Sequence, residues 1–501
     1  MAAITTTSAG PTTAVPGANR MLMLLLFINL FNYIDRQVLS AVLPRLQRDA
    51  SIISLDDPNA QLKLGLLTSA FMATYMTLSL LFGWLDGRGA KRWVLLGVGV
   101  TLWSLASGSS GLATGYWMLL ATRCLVGVGE AAYGPIASAM IADMYPVSKR
   151  GKILAIFNVA IPVGSALGFI IGGQIAEAYG WRHAFWVTYS GLFLGLLCFF
   201  KKDPPRPVVE ATAKHVSYMD SLKELSHIRS FVLCCLGMTA VVFVTGGIGA
   251  WVPAYVFERD SRFVITAETL KDLQDGKEAD KREPLPAETV DKLKTLIDGT
   301  THNQAAMKKF LSEHLDQREQ ILYSNTIFDT CSTADSPKLG TLTTIFGGIL
   351  VLGGILATIV GAWLGERLRP KTRGAYFKVI GFGTLLGLPA YFGILYAPFP
   401  LAWVFIFLTI FFLFLYTGPA NTILANVTHS NLRATGFAIN ILVIHLLGDA
   451  ISPSIIGFVA DQSNLQFAFL LMSVMIVIGG VLWLMGAKHL DADTEAALAK
   501  G

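Results

Sequence analysis

Apolar runs recur near residues 20–44, 62–85, 92–112, 116–142, 152–178 and 182–200. After a polar stretch at 201–229 they recur near 230–257, 340–365, 376–397, 400–425, 434–460 and 466–487. A helix needs about 20 mostly apolar residues to cross the bilayer interior, so the pattern predicts an all-α membrane protein with twelve transmembrane helices. The expected division is a disordered tail at 1–19, a six-helix bundle at 20–201, a linker at 202–229, a second six-helix bundle at 230–487 and a tail at 488–501. Within the second bundle, 258–338 reads as a polar, charge-mixed insert between spans 7 and 8.

The halves match in length once the insert is set aside, and they share a motif. Trp84–Arg88 reads WLDGR after span 2, and Trp363–Arg367 reads WLGER after the equivalent span 8, each followed by Lys and Arg. Two six-helix pseudo-repeats are the simplest account. Basic residues concentrate in the even-numbered short connections, which predicts cytoplasmic termini and an insert on the outside. Val216, Met219, Leu222, Leu225 and Ile228 recur at helical spacing in the linker, so an amphipathic interfacial helix and a plain linker are both open there. The insert shows helical patterns near 286–298 and 303–322, broken by Pro284, Pro286 and Gly299, and reads as a structural cap or partly ordered lid, with a role in substrate access as the alternative.

Composition fits this picture and narrows the function. Hydrophobic residues make up 53% of the chain and charged ones 15%, and the mean hydropathy is +0.55. That leaves too little polar surface for a soluble protein of this length. The net charge of +5 implies no nucleic-acid partner, because in membrane proteins the placement of basic residues carries the information. Cys124, Cys198, Cys234, Cys235 and Cys331 show no metal spacing, so free thiols and no cofactor are expected. Residues 1–19 lack a signal-peptide pattern, which leaves span 1 to direct insertion. The insert holds no Asn-x-Ser/Thr sequon, which points to a bacterial plasma membrane.

Charges inside the spans mark the pathway, because each costs at least ~2.5–3.5 kcal/mol near the bilayer centre and turns to a cavity or a partner. Span 4 carries Arg123 and Glu130. On one continuous helix they lie within about 20° of the same face and about 10 Å apart along the axis, with Gly127 and Gly129 thinning the helix between them. Span 1 carries Asp35 and Arg36, which point about 100° apart and so face different neighbours. Span 11 places His445 and Asp449 at i, i+4 on one face, either as a hydrogen-bonded pair or as a titrating pair. Gly164 and Gly168 belong to a close-packing stripe on span 5 that also suits helix sliding. Gly246, Gly247, Gly249 and Pro253 weaken span 7 midway, as expected of a broken helix at a substrate site. Tyr75, Thr245, Trp251, Tyr416 and Asn421 are candidate cavity-lining residues. Asp86, Arg88, Glu366 and Arg367 sit in the basic signatures as candidate gating residues.

The twelve spans in two repeats, with basic signatures after spans 2 and 8, resemble the major facilitator superfamily. Within it, FNYIDR (31–36), RCLVGVGEAAY (123–133), IPVGSALG (161–168), FVLCCLGMTAVVFVTGG (231–247) and HLLGDAISP (445–453) resemble the Spinster family along nearly the whole chain. The resemblance implies a proton-linked carrier of lysophospholipids or sphingoid-type lipids, and the expected protein is a monomer working by alternating access. It further implies that Asp35, Arg36, Arg123, Glu130 and His445 match coupling and substrate-contact positions. The family's Gly-Asp-Arg after span 2 is here Asp86-Gly87-Arg88, while Gly365-Glu366-Arg367 keeps the order, so a weakened first latch is expected. A carrier of a small organic anion or sugar is the alternative. A membrane receptor or enzyme is the alternative from another class, and no P-loop points to ATP.

Overall fold

The computed structural model describes residues 13–204, 218–276, 284–297 and 300–500. In hydrocarbon a backbone has no water to bond to, so each apolar run satisfies its own N–H and C=O groups as a helix. The first bundle comprises α1 (Ala18–Leu46), α2 (Ala60–Gly87), α3 (Arg92–Ser110), α4 (Tyr116–Glu130) with α5 (Tyr133–Met144), α6 (Val147–Tyr179), and α7 (Trp181–Trp186) with α8 (Gly191–Phe199). After the linker helix α9 (Tyr218–His227), the second bundle begins with α10 (Arg229–Asp260). The insert contributes α11 (Ala267–Asp275), α12 (Ala287–Leu293), α13 (Gln304–His314) and α14 (Gln317–Thr330). Then follow α15 (Leu339–Leu368), α16 (Ala375–Tyr396), α17 (Leu401–Phe414) with α18 (Thr417–Val427), α19 (Ser430–Ile444) with α20 (Ser452–Gln462), α21 (Leu465–Gly486) and the terminal α22 (Leu490–Lys500). Among the described residues, 11 helical stretches are long and apolar enough to cross a membrane. The sixth predicted span is the remaining one, present as α7, a 3₁₀ turn at Val187–Ser190 and α8.

Spans 4 and 10 are each broken, where continuous helices were expected. α4 and α5 part at Ala131–Ala132, and α17 and α18 part at Leu415–Tyr416. A proline inside a helix clashes with the carbonyl four residues back. Pro135 and Pro419, each preceded by glycine, set that clash at Ala131 and Leu415, so the repeat extends to the two kinks. Span 7 shows the reverse. It was expected to break, yet α10 runs unbroken for 32 residues. Its glycines serve a neighbour instead: a Cβ on Gly246 would stand 2.2 Å from the Asp449 Cβ, and one on Gly247 2.4 Å from Ile456. The interruption falls on span 11, as a π-turn at His445–Asp449. Pro453 follows, and its own i−4 carbonyl is that of Asp449.

The bundles close on one another at the face that carries the insert. A Cβ on Gly65 would meet the Pro453 carbonyl at 2.3 Å, one on Gly457 the Gln61 carbonyl at 2.3 Å, and one on Gly173 the Thr343 hydroxyl at 1.8 Å. Two acids then cap helix starts across the seam. Asp461 accepts the N–H groups of Gln61 and Leu62 at 2.8 and 2.7 Å, and Glu177 accepts that of Gly340 at 2.5 Å. A carboxylate is stabilised at a helix N-terminus by the orphan N–H groups and the dipole. The two caps occupy equivalent places in the repeat.

The insert is a folded unit with its own core, including Phe263, Leu273, Leu293, Leu311, Phe328 and Cys331. Cys331, expected alone in a loop, is therefore buried. The expected helix at 303–322 divides at Asp316, which caps α14 in a reciprocal box with Glu319. α11 was not foreseen and starts on a Thr266–Thr269 box. In the linker, α9 buries Leu225 and leaves Leu222, counted on the same apolar face, exposed. Val216 lies outside the described residues.

Candidate substrate and coupling site

The charges of spans 1 and 4 converge inside the first bundle. Arg36 Nε donates to Glu130 Oε2 at 2.7 Å, with the glutamate side chain fully buried and the arginine 17% exposed. Asp35, turned about 100° from Arg36, faces α3 and accepts from the Ser107 hydroxyl. Arg123 is 1% exposed, and its Nε and Nη1 have no hydrogen-bond partner. Arg123 and Glu130, though on one face of α4, are not the pair. Glu130 pairs with Arg36, and Arg123 is acted on by the charges of both Asp35 and Glu130.

Aromatic faces supply the rest of the cations' surroundings. The Arg36 guanidinium lies 4.7 Å from the Tyr75 ring, 5.1 Å from Tyr33 and 5.4 Å from Phe71. Arg123 lies 5.4 Å from the same Phe71, so one ring serves two guanidiniums. Close packing makes this possible. A Cβ on Gly127 would stand 2.1 Å from the Thr74 hydroxyl, and one on Gly129 2.6 Å from the Trp103 nitrogen, as expected of glycines that thin a helix. On α6, Gly164 and Gly168 pack against Leu30 and Ile34 of α1, which makes their stripe an intra-bundle seam beside Asp35. With both arginines and both acids ionised the cluster is formally neutral, so one added proton or anion unbalances it.

The second bundle contributes a smaller group. His445 Nδ1 lies 2.9 and 3.0 Å from the two Asp449 oxygens, and the π-turn is closed by the Ala450 N–H to the His445 carbonyl at 3.0 Å. Tyr33, between the bundles, is acted on by the charges of Arg36, Glu130 and Asp449.

The Major Facilitator Superfamily sequence model matches residues 25–267 and 309–500. Protein spinster homolog 3 of Danio rerio is 32% identical over 497 residues, spanning 94% of this chain and 85% of its own length. Protein spinster homolog 1 of Homo sapiens is 31% identical, spanning 96% and 83%. The chain belongs to the Spinster family of the major facilitator superfamily. The sphingosine-1-phosphate transporter SPNS2 of Danio rerio is 28% identical, over 95% and 85% of the two chains. Among solved structures, a bacterial homolog of the human lysosomal transporter Spinster, inward-facing and unoccupied, aligns with a TM-score of 0.68 at 17% identity, covering 95% and 98%. A D-xylose–proton symporter aligns at 0.60 and 15% identity, covering 92% and 96%. The Spinster-family chain is thus a multi-pass membrane transporter and not an enzyme.

Other expected site residues of this Spinster-family chain are distributed differently. Trp251 does not line a cavity: it is fully buried and donates to the Pro453 carbonyl at 2.9 Å, fastening α10 to α20. Thr245 is half-buried, with its hydroxyl 3.4 Å from the Val242 carbonyl of its own helix. Tyr416 sits at the kink of span 10 against Trp483, with ring centroids 5.6 Å apart. Asn421 is exposed and bonds the Thr417 carbonyl at 2.7 Å. Tyr75 alone of this group joins the charge cluster. Phe71 and Ser107 were not foreseen, because neither residue type stands out in an apolar span.

At the opposite face, Asp86 is held within its own bundle. Arg92 grips it through two nitrogens, at 2.7 and 3.0 Å, and reaches Asp143 at 2.6 Å. All three belong to the first bundle, so the triad ties α2, α3 and α5 together. An acid at the end of α2 opposes the helix dipole, and Arg92 offsets it. Arg88 and Arg367 lie over Trp84 and Trp363 at 4.0 and 5.0 Å, the same pairing in each repeat. Glu366 accepts from the Tyr376 hydroxyl at 2.6 Å.

Proposed function

We propose that this chain is a proton-coupled carrier of an amphipathic lipid with an anionic headgroup, a lysophospholipid or sphingoid-type lipid, working as a monomer by alternating access. The observation that carries the reading is the neutral four-charge cluster, in which Arg36 holds Glu130 while the buried Arg123 has unpaired N–H groups. An incoming phosphate is attracted to Arg36, the more exposed guanidinium, and to Arg123. Glu130 then loses its partner inside an apolar wall, where a lone carboxylate favours its protonated form. Competition for Arg36 couples the two fluxes. His445 and Asp449, in contact with one another on span 11, are the second group we assign to coupling. The excess of basic residues in even-numbered connections supports a cytoplasmic linker face and termini, so closure at the insert face corresponds to an inward-facing state in a plasma membrane. The SPNS2 relative supports a lipid substrate.

Uptake into proteoliposomes under an imposed pH gradient tests this with a panel of lysophospholipids, sphingoid phosphates, organic anions and a hexose. Accumulation of the phosphate-bearing lipids is expected, together with its loss in Glu130→Gln and exchange that survives that substitution. Accumulation of only the hexose or a small anion would overturn the lipid reading. Full gradient-driven uptake by Glu130→Gln and Asp35→Asn would overturn the coupling.

A further inference from the structure

Asp35, acted on by the charges of Arg123, Glu130 and Arg36, turns its carboxylate towards α3 and the interrupted sixth span. There it borders a small buried cavity that is also lined by Ile34, Trp103, Ser104, Thr188 and Gly191, with room for a single water molecule. Two polar atoms of this lining are buried and without a hydrogen-bond partner: Asp35 Oδ2 and Ser104 Oγ. Ser107, one helical turn from Ser104 on the same side of α3, donates to the other carboxylate oxygen, and both serines are fully buried. The sixth span gives way at this level, passing through the 3₁₀ turn Val187–Ser190. Gly191, directly after that turn, lies so close that a Cβ would stand 2.4 Å from Ser104 Oγ. Buried polar atoms are normally satisfied by protein or by ordered water, and a site with a carboxylate, two hydroxyls and water-sized space suits a water that exchanges protons.

We propose that this pocket binds one water that carries the proton to and from Asp35, and that Ser104 and Ser107 are positioning residues for that exchange. Ser107 holds the carboxylate in its charged form, and Ser104 holds the water against the second oxygen. The proton is then handled on the flank where α3 meets the sixth span, apart from the Arg36 face that meets the headgroup. No bond besides O–H is made or broken: the proton passes from hydronium to the carboxylate and back to water. The inference rests on the proton-coupled reading above.

The test uses the full-length protein in proteoliposomes with an entrapped pH dye and radiolabelled lysophosphatidylglycerol. Ser107→Ala removes a donor to a carboxylate, so the pH midpoint of gradient-driven uptake should rise by about one unit, with KM changed less than twofold. Ser107→Thr keeps the hydroxyl and should restore the midpoint. Ser104→Ala, and Gly191→Ala, which crowds the pocket, should slow lipid-evoked acidification about tenfold while leaving lipid exchange at wild-type rate. Ser190→Ala, on the exposed side of the same turn, should change neither. Unchanged pH midpoint and proton flux in Ser107→Ala and Ser104→Ala would overturn the proposal, as would a rise in KM without a pH shift, or acidification that sodium replaces. Asp35→Asn separates the two levels. If it retains accumulation, the role of Asp35 in coupling fails; if it abolishes accumulation while the serine variants keep the wild-type profile, only the pocket fails.

Discussion

At the scale of single residues, the site is decided by which partner each buried charge finds. Asp35, Arg36, Arg123 and Glu130 were legible in the sequence because charge in an apolar span is expensive, and the angle between neighbours on a helix correctly sent Asp35 and Arg36 to different sides. The pairing was not legible. It depends on where α4 settles against its neighbours, through contacts such as Gly127 on Thr74 of α2. The Arg36–Glu130 pair makes a stability prediction that the Arg123–Glu130 pairing does not. Arg36→Ala leaves a fully buried carboxylate alone, and breaking a buried pair in this way typically costs about 3–5 kcal/mol. Adding Glu130→Gln removes the stranded charge. Thermal unfolding in detergent at pH 7.5 should therefore show Arg36→Ala well below wild type and the double variant recovering much of the difference. Equal destabilisation of the single and double variants would show that Glu130 does not depend on Arg36.

At the scale of elements, the glycines and prolines act on neighbours more than on the helices that hold them. Span 7 looked breakable because glycine weakens helices in water. In an apolar bundle the backbone has no competing partner, so α10 stays whole and its glycines admit the π-turn of span 11. The contacts that join the bundles in this state were not foreseen for a related reason. Basic signatures drew attention to Asp86 and Glu366, which the structure shows engaged with Arg92 and Tyr376, whereas the acids that bridge the bundles, Glu177 and Asp461, end spans 5 and 11 as Ala-Glu and Ala-Asp. That matched pair was readable in the repeat. Each holds a helix start belonging to the other bundle, so neutralising it removes a charged acceptor worth about 0.3–1 kcal/mol at a helix end. Asp461→Asn with Glu177→Gln should shift the resting population towards opening at the insert face. A cysteine placed at Ser69, which meets Ser454 across the seam at 2.7 Å, should then react several-fold faster with a membrane-impermeant maleimide added from the insert side. An unchanged rate would show that the caps do not hold the seam.

At the scale of the molecule, the insert acts as a third body that spans the closed seam. Arg48, just beyond α1 and 2% exposed, donates to Gln304 of the insert at 2.9 and 2.7 Å and to Ser261 at 2.9 Å. Its guanidinium is surrounded by Phe257 of α10 and by Phe263 and Phe328 of the insert core, at 4.4, 5.0 and 5.1 Å. Arg45 pairs with Asp329 nearby. One residue of the first bundle is thus locked by the second bundle and the insert together, which favours the state closed on this side. Lys308 of α13 enters the same seam, beside Gln47 and Gln61. Burial there pushes Lys308 from 10.5 down to about 8, with the Arg48 charge acting the same way and Glu258 opposing. The sign of the linkage follows. Undocked, the lysine keeps its proton up to about 10.4; docked, it loses it above about 8, so the docked form binds fewer protons between these values. Docking therefore strengthens as pH rises through that window and bears the full penalty of a charged lysine below it. Lys308→Met removes the penalty. Insert protection, read by amide hydrogen exchange of α13 and α14 after correction for the intrinsic rate, should rise between pH 8 and 10 in wild type. In the variant it should be higher at pH 7 and flat across the window. Because the clamp holds the insert side shut, the same variant should transport more slowly at pH 7 while its substrate affinity in the state open at the linker face is retained. A wild-type pH slope persisting in Lys308→Met would assign the dependence to another group and remove Lys308 from the clamp.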